Sequence, residues 1–140
     1  MAETIEITIP SEPKFLKIVR ATMNHLGETM GFSQDDINNI TLAVDEACSN
    51  IIKHAYEGLK GLPIQVVCYL YEDRIEILLR DSGKKADVNE IKSRELDDVR
   101  PGGIGVHLIK SVMDVVSYDN SLEQGNQLQL VKYVSKKSQE

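Results

Sequence analysis

The stretch LAVDEACSNIIKHAYEG (residues 42–58) sets Glu46 and Asn50 one turn apart on a helix whose packing needs neither. Ile37, Ile40, Val44, Ala47, Ile51 and Ala55 recur at spacings of three and four, the apolar stripe of an amphipathic helix. Ser33 opens that helix, Asp36 stands where a capping-box acid would, and Gly58 and Gly61 stop it. Glu46 and Asn50 lie at i and i+4, so they can share a ligand. Periodicity places their side of the helix away from the stripe, with Leu42 and Ala43, which on periodicity alone reads as a solvated polar face. As a site, the pair has a clear chemistry: an amide oxygen suits a hard magnesium ion that leans on substrate phosphates, and a nearby carboxylate can orient or deprotonate an attacking hydroxyl. His54 lies a further turn along, as a third member or as a structural helix-end histidine.

Upstream, TIEITI (4–9) alternates Ile5, Ile7 and Ile9 with polar residues, the period of a half-buried strand that Pro10 ends. Ser11 is placed to cap a first helix carrying Phe15, Ile18, Val19, Met23 and Leu26, closed by Gly27 or Gly31. Downstream, 64–71 and 74–81 alternate around Glu72-Asp73 and predict a hairpin. Residues 84–102 lose all periodicity and read as a mobile segment. A third helix follows, with Ile104, Leu108, Ile109 and Val112 on one face, then strands at VVSYD and QLQLVKYV across the turn SLEQGN. Hairpins with three long helices predict a two-layer α+β sandwich, one sheet covered on one face, in a single domain over 1–140.

The chain has 140 residues and a net charge of −6, which repels a phosphate backbone and argues against nucleic-acid binding. No apolar run approaches the roughly 20 residues of a membrane span, and MAETIEITIP lacks the pattern of a secretory signal, so the expected compartment is the cytoplasm. Cys48 and Cys68, with no metal-ligand spacing and apolar neighbours, are expected to be reduced core residues.

Two more pieces bear on function. DSG (81–83) ends the second hairpin strand, and Asp81 is either a turn carboxylate or an acceptor for an exocyclic amine. GGIG (102–105) opens the third helix, either as a flexible start or as a place where backbone N–H groups meet a polyphosphate. It is neither a Walker loop nor a dinucleotide fingerprint.

Together these pieces resemble the anti-sigma factor serine/threonine kinases of bacteria, members of the GHKL superfamily of histidine-kinase-like ATPases, over nearly the whole chain. LAVDEACSNIIKHAYEG resembles the family's N box, which implies Glu46 as the catalytic base and Asn50 as a nucleotide-binding residue and magnesium ligand. DSG resembles the first glycine box, which implies Asp81 and Gly83 at the adenine. RPGGIGVHLIKSVMD resembles the second, which implies Gly102, Gly103, Ile104, Gly105 and Val106 around the phosphates, with Arg100 near a basic lid position and 84–102 as the ATP lid. Lys85 stands where the superfamily usually has a second glycine, and Gln129 where the last strand commonly has threonine, a position the resemblance associates with an adenine-side hydrogen bond. The implied fold is the Bergerat ATP-binding fold, a mixed sheet with helices on one face.

The implied function is that of an ATP- and magnesium-dependent, homodimeric kinase that binds a sigma factor and phosphorylates a serine or threonine of a STAS-type anti-anti-sigma protein. The alternative is a nucleotide-dependent binding module without kinase activity, which would use the same residues.

Overall fold

The computed structural model describes residues 2–85, 104–119 and 124–135, and the side chains of 104–107 lie outside that description. The elements are β1 (Glu3–Pro10), a 3-10 turn (Pro13–Phe15), α1 (Leu16–Met30), α2 (Gln34–Asn50), a π-helical turn (Ile51–Ala55), β2 (Pro63–Leu70), β3 (Arg74–Asp81), α3 (Ile104–Val112), β4 (Val115–Asp119) and β5 (Asn126–Tyr133). Of the expected lid, only Lys84 and Lys85 fall within the described residues. Among these residues no helix is long and apolar enough to cross a membrane.

The five strands form one sheet in the order β1-β2-β3-β5-β4. All four pairings are antiparallel, which corrects the expectation of a mixed sheet. The reason lies in the crossover. β3 and β4, joined through α3, run in the same direction, but β5 folds back between them, so each touches only an antiparallel neighbour.

Period-two alternation fixes which face is buried. Ile64, Val66 and Cys68 on β2, Ile75, Ile77 and Leu79 on β3, and Leu128 and Leu130 on β5 line up across the register and belong to one core with the helices. Glu76, Leu78 and Arg80 point to the opposite face. Both cysteines are free and buried, and desolvation pushes each thiol up to about 12, so neither supplies a thiolate at neutral pH.

Local chemistry sets the helix ends. Ser33 Oγ accepts from the Asp36 N–H at 3.1 Å, the predicted N-cap. Gly31, at φ 82°, closes α1 in the left-handed conformation, and Gly27 stays inside the helix, where a Cβ would lie 2.7 Å from Ile37 Cγ1. Ser11 caps nothing. It is 1% exposed, donates to Leu59 O at 2.7 Å and accepts from the Leu62 N–H at 3.0 Å, tying the end of β1 to the loop after α2.

α2 is the central helix, packed by α1 and by α3. This widens its buried surface beyond one stripe: Ala43 is fully buried, although periodicity assigned it to the outer side with Leu42, which is indeed exposed. Asp36, Ala43 and Asn50 lie at i, i+7 and i+14, along one line of the helix. At the head of that line, Asp36 Oδ1 is 3.9 Å from Lys132 Nζ, which donates to Val112 O in the last turn of α3 at 2.9 Å. The line that carries Asn50 is therefore the flank against α3.

Ile77, fully buried on the central strand β3, has no room to be shortened without leaving a cavity. Ile77→Ala is expected to lower unfolding free energy by about 2–5 kcal/mol. Urea denaturation reads this directly, and a loss below about 1 kcal/mol would show that the sheet side of the core is loosely packed.

Candidate functional site

α2 does not end as an α-helix. The Tyr56 N–H bonds to Ile51 O, five residues back, at 2.9 Å. One extra residue in a turn rotates everything after it by roughly 100°. Ala55, predicted as the last member of the core stripe, is half-buried instead and lines a cleft, while Tyr56 is turned inward and only 2% exposed.

Two bonds from this turn hold the segment after β3. The Tyr56 hydroxyl donates to Pro63 O and accepts from the Ser82 N–H at 2.9 Å, and the Lys84 N–H donates to Ala55 O at 2.8 Å. Gly83 sits between those bonds. A Cβ there would collide with Ala55 O and come within 2.9 Å of the Tyr56 ring, so the close approach requires glycine.

The cleft between these pieces has a volume of about 310 Å³, within the range of small-ligand sites. Leu79 and Leu128 give it an apolar surface, and Asn50, Asp81 and Asn126 bring polar groups to it. Asp81 Oδ1 accepts from the Gly83 N–H at 2.9 Å and from Asn126 Nδ2 at 3.0 Å. Both of these bonds fall on the same oxygen, and Oδ2 has no hydrogen-bond partner among the described residues. Burial raises the Asp81 pKa above the ordinary carboxyl range, and the bonds from Asn126 and Gly83 act against that shift. Asn126 Nδ2 also donates to Lys84 O at 2.8 Å, so one side chain fixes both the carboxylate and the backbone beyond it.

Asn50 faces the same cleft, and its Nδ2 is buried with no partner among the described residues. Leaving an amide unpaired costs about 1–3 kcal/mol, and such an orphan is a group in want of a ligand. Either end of the amide can occupy that position, so the site fits an ion that needs one neutral oxygen. No group of three His, Cys, Asp or Glu side chains among the described residues could hold a metal by itself. A magnesium ion would lean on ligand phosphates and water.

The sequence-predicted residues thus divide. Asn50 and Asp81 meet in one cleft, and Gly83 shapes the turn beside them. Glu46, half-buried one turn before Asn50, is not among the residues that line the cleft. Ile104, Gly105 and Val106 open α3, while Arg100, Gly102 and Gly103 lie outside the described residues. His54 and Lys85 both line the cleft. Gln129 does not reach it. Its register opposite Leu78 places it on the far face of the sheet, where its Nε2 is 3.4 Å from Glu76 Oε1, so it has no part in contacts on the cleft side. Tyr56 and Asn126 were missed, because one reads as an aromatic past the stripe and the other as a turn residue after Gly125.

The Asp81 shift has a sign that can be tested. With its folded pKa raised, the carboxyl costs stability as pH climbs from the unfolded value through the folded one. Asp81→Asn removes this cost and keeps an acceptor for Gly83 and Asn126. Thermal melts should show the variant more stable than the parent at neutral pH, with the advantage vanishing below about pH 3.9. A variant less stable at neutral pH would contradict the account.

A profile described as "Histidine kinase-like ATPase domain" matches residues 9–132. The serine-protein kinase RsbW of Halalkalibacterium halodurans is 35% identical over 144 residues, covering 96% of this chain and 85% of that protein. RsbW of a Bacillus cereus strain is 34% identical over 146 residues, covering 99% of this chain and 89% of that protein. The crystal structure of the RsbU and RsbW domains of a Mycobacterium tuberculosis protein matches 96% of this chain with a TM-score of 0.70 at 17% identity, a likeness of fold, and the chain spans 33% of that longer one. The chain belongs to the histidine kinase-like ATPases and, within them, to the family of the RsbW serine-protein kinases.

Proposed function

We propose that this protein is an ATP-dependent serine/threonine kinase of anti-sigma type. It binds a sigma factor and phosphorylates a hydroxyl of a STAS-type antagonist, as a homodimer in the cytoplasm. The observation that carries the reading is the shared cleft of Asn50 and Asp81, in a chain whose near-full-length relatives are serine-protein kinases.

In this reading Leu79 and Leu128 pack against the adenine, and Asp81 Oδ2 accepts a hydrogen bond from its exocyclic amine. The Asn50 amide oxygen holds magnesium, which neutralises charge on the phosphates when bound. Glu46, beyond Asn50 on the same helix, takes the proton of the acceptor hydroxyl. Its place outside the cleft wall suits a group that meets the protein substrate and not the nucleotide. Nine residues of α3 span roughly 13 Å, which runs back from the Asp36 end of α2 to about the level of Glu46, a turn short of Asn50. By the family resemblance Gly102, Gly103, Ile104, Gly105 and Val106 would bind the phosphates through backbone amides, with Arg100 as a basic partner.

Incubation with labelled ATP and a purified STAS-domain protein tests the activity. Transfer of label to a serine or threonine supports it, and nucleotide binding without transfer identifies a binding module instead. Glu46→Gln should retain ATP affinity while losing at least about 10²-fold in transfer rate, because an amide is no base at neutral pH. Full transfer by that variant would remove Glu46 from its role. In calorimetry, Asn50→Ala should weaken ATP binding by about tenfold or more with magnesium present and leave binding in chelator nearly unchanged. Equal losses in both conditions would assign Asn50 to the fold.

A further inference from the structure

We propose that Tyr56 is a positioning residue for base recognition: its hydroxyl, brought inward by the π turn, grips the Ser82 amide and so aims the Asp81 carboxylate at the exocyclic amine of adenine. The inference rests on the reading of the cleft as an adenine nucleotide site, and it adds a residue that touches no ligand.

Three observations carry it. First, Tyr56 is 2% exposed, so its hydroxyl is largely withdrawn from water and needs partners in the protein. It finds two that packing alone would not require, Pro63 O at the start of β2 and the Ser82 N–H just past the end of β3. Second, Ser82 is the residue directly after Asp81, and the next two amides are also fixed: Gly83 N–H on Asp81 Oδ1 at 2.9 Å, Lys84 N–H on Ala55 O at 2.8 Å. Three successive N–H groups thus set the path of the chain around the carboxylate. Only the Ser82 link reaches back to a side chain on another element. Third, the Tyr56 ring leaves no space for a Cβ at Gly83, so ring and hydroxyl together define where the turn can lie.

A carboxylate held on one oxygen by Gly83 and Asn126 keeps the other for a donor, and its direction depends on the turn beneath it. Removing the Tyr56 hydroxyl frees that turn without emptying the space of the ring. The loss should therefore fall on the contact Asp81 makes with an amine at the 6-position of the base, and not on contacts to ribose or phosphate.

Tyr56→Phe separates these possibilities. Calorimetry with ATP and with inosine triphosphate, which has an oxo group in place of the amine, should show roughly tenfold weaker ATP binding and a change within about twofold for inosine triphosphate. Hydrogen exchange at the Ser82 amide should accelerate at least about tenfold while amides of Ile77 and Leu130 keep their protection. Equal losses for both nucleotides would make Tyr56 a purely structural residue and overturn the proposal, as would unchanged selectivity or unchanged Ser82 protection. If the parent protein itself fails to prefer ATP over inosine triphosphate, the adenine reading of the cleft falls first and takes this inference with it. Should Tyr56→Phe not fold, Gly83→Ala pushes the same turn away from Ala55 with Tyr56 intact. It should lose the same selectivity, and retained selectivity would overturn the proposal.

Discussion

The bond from the Tyr56 N–H to Ile51 O, one residue longer in reach than an α-helical bond, is the constraint on which the site depends. It ends α2 with a wide turn that leaves Ala55 half-buried at the cleft and turns Tyr56 into the core. The Ala55 carbonyl and the Tyr56 hydroxyl then hold the backbone of Ser82 and Lys84. That rotation adds direct ties from the end of the helix to the segment after β3, beside Asp81. π turns interrupt α-helices at a cost in hydrogen-bond geometry, and their frequent place at functional sites accords with this one.

The charge distribution supports an anionic ligand. The chain carries a net charge of −6, yet Lys53, Lys84 and Lys85 all line the cleft. Concentrating cations around one concave surface of an acidic protein focuses potential there and leaves the rest of the surface repelling polyanions. Glu57 and Asp81 are the acidic residues of the cleft, and at Asp81 the donors from Gly83 and Asn126 both fall on Oδ1, which leaves Oδ2 as an acceptor.

Much of the fold was legible in the sequence because it rests on periodicity. Ile5, Ile7 and Ile9 gave β1, the two runs around Glu72-Asp73 gave the β2-β3 hairpin, and Ser33 gave the start of α2. Long-range choices were not legible. Nothing in the strand pattern says that β5 enters between β3 and β4, and the burial of Ala43 depends on a third helix packing against α2. Asn50 and Asp81 could be named from the family resemblance, but their supports could not. Tyr56 owes its role to a change of helical pitch, and Asn126 to a register with Asp81 that only the folded sheet creates. Gln129 shows the reverse case: a motif position suggested ligand contact, and strand alternation sent it to the other face.

The central claim is that this cleft is one adenine nucleotide site, with the base at Asp81 and the phosphates beyond Asn50. A crystal structure with magnesium and a non-hydrolysable ATP analogue tests it most directly. The account predicts the exocyclic amine within hydrogen-bond distance, about 2.7–3.2 Å, of an Asp81 oxygen, and the Asn50 amide oxygen on the metal. A nucleotide bound elsewhere, or with its base turned away from Asp81, would contradict it.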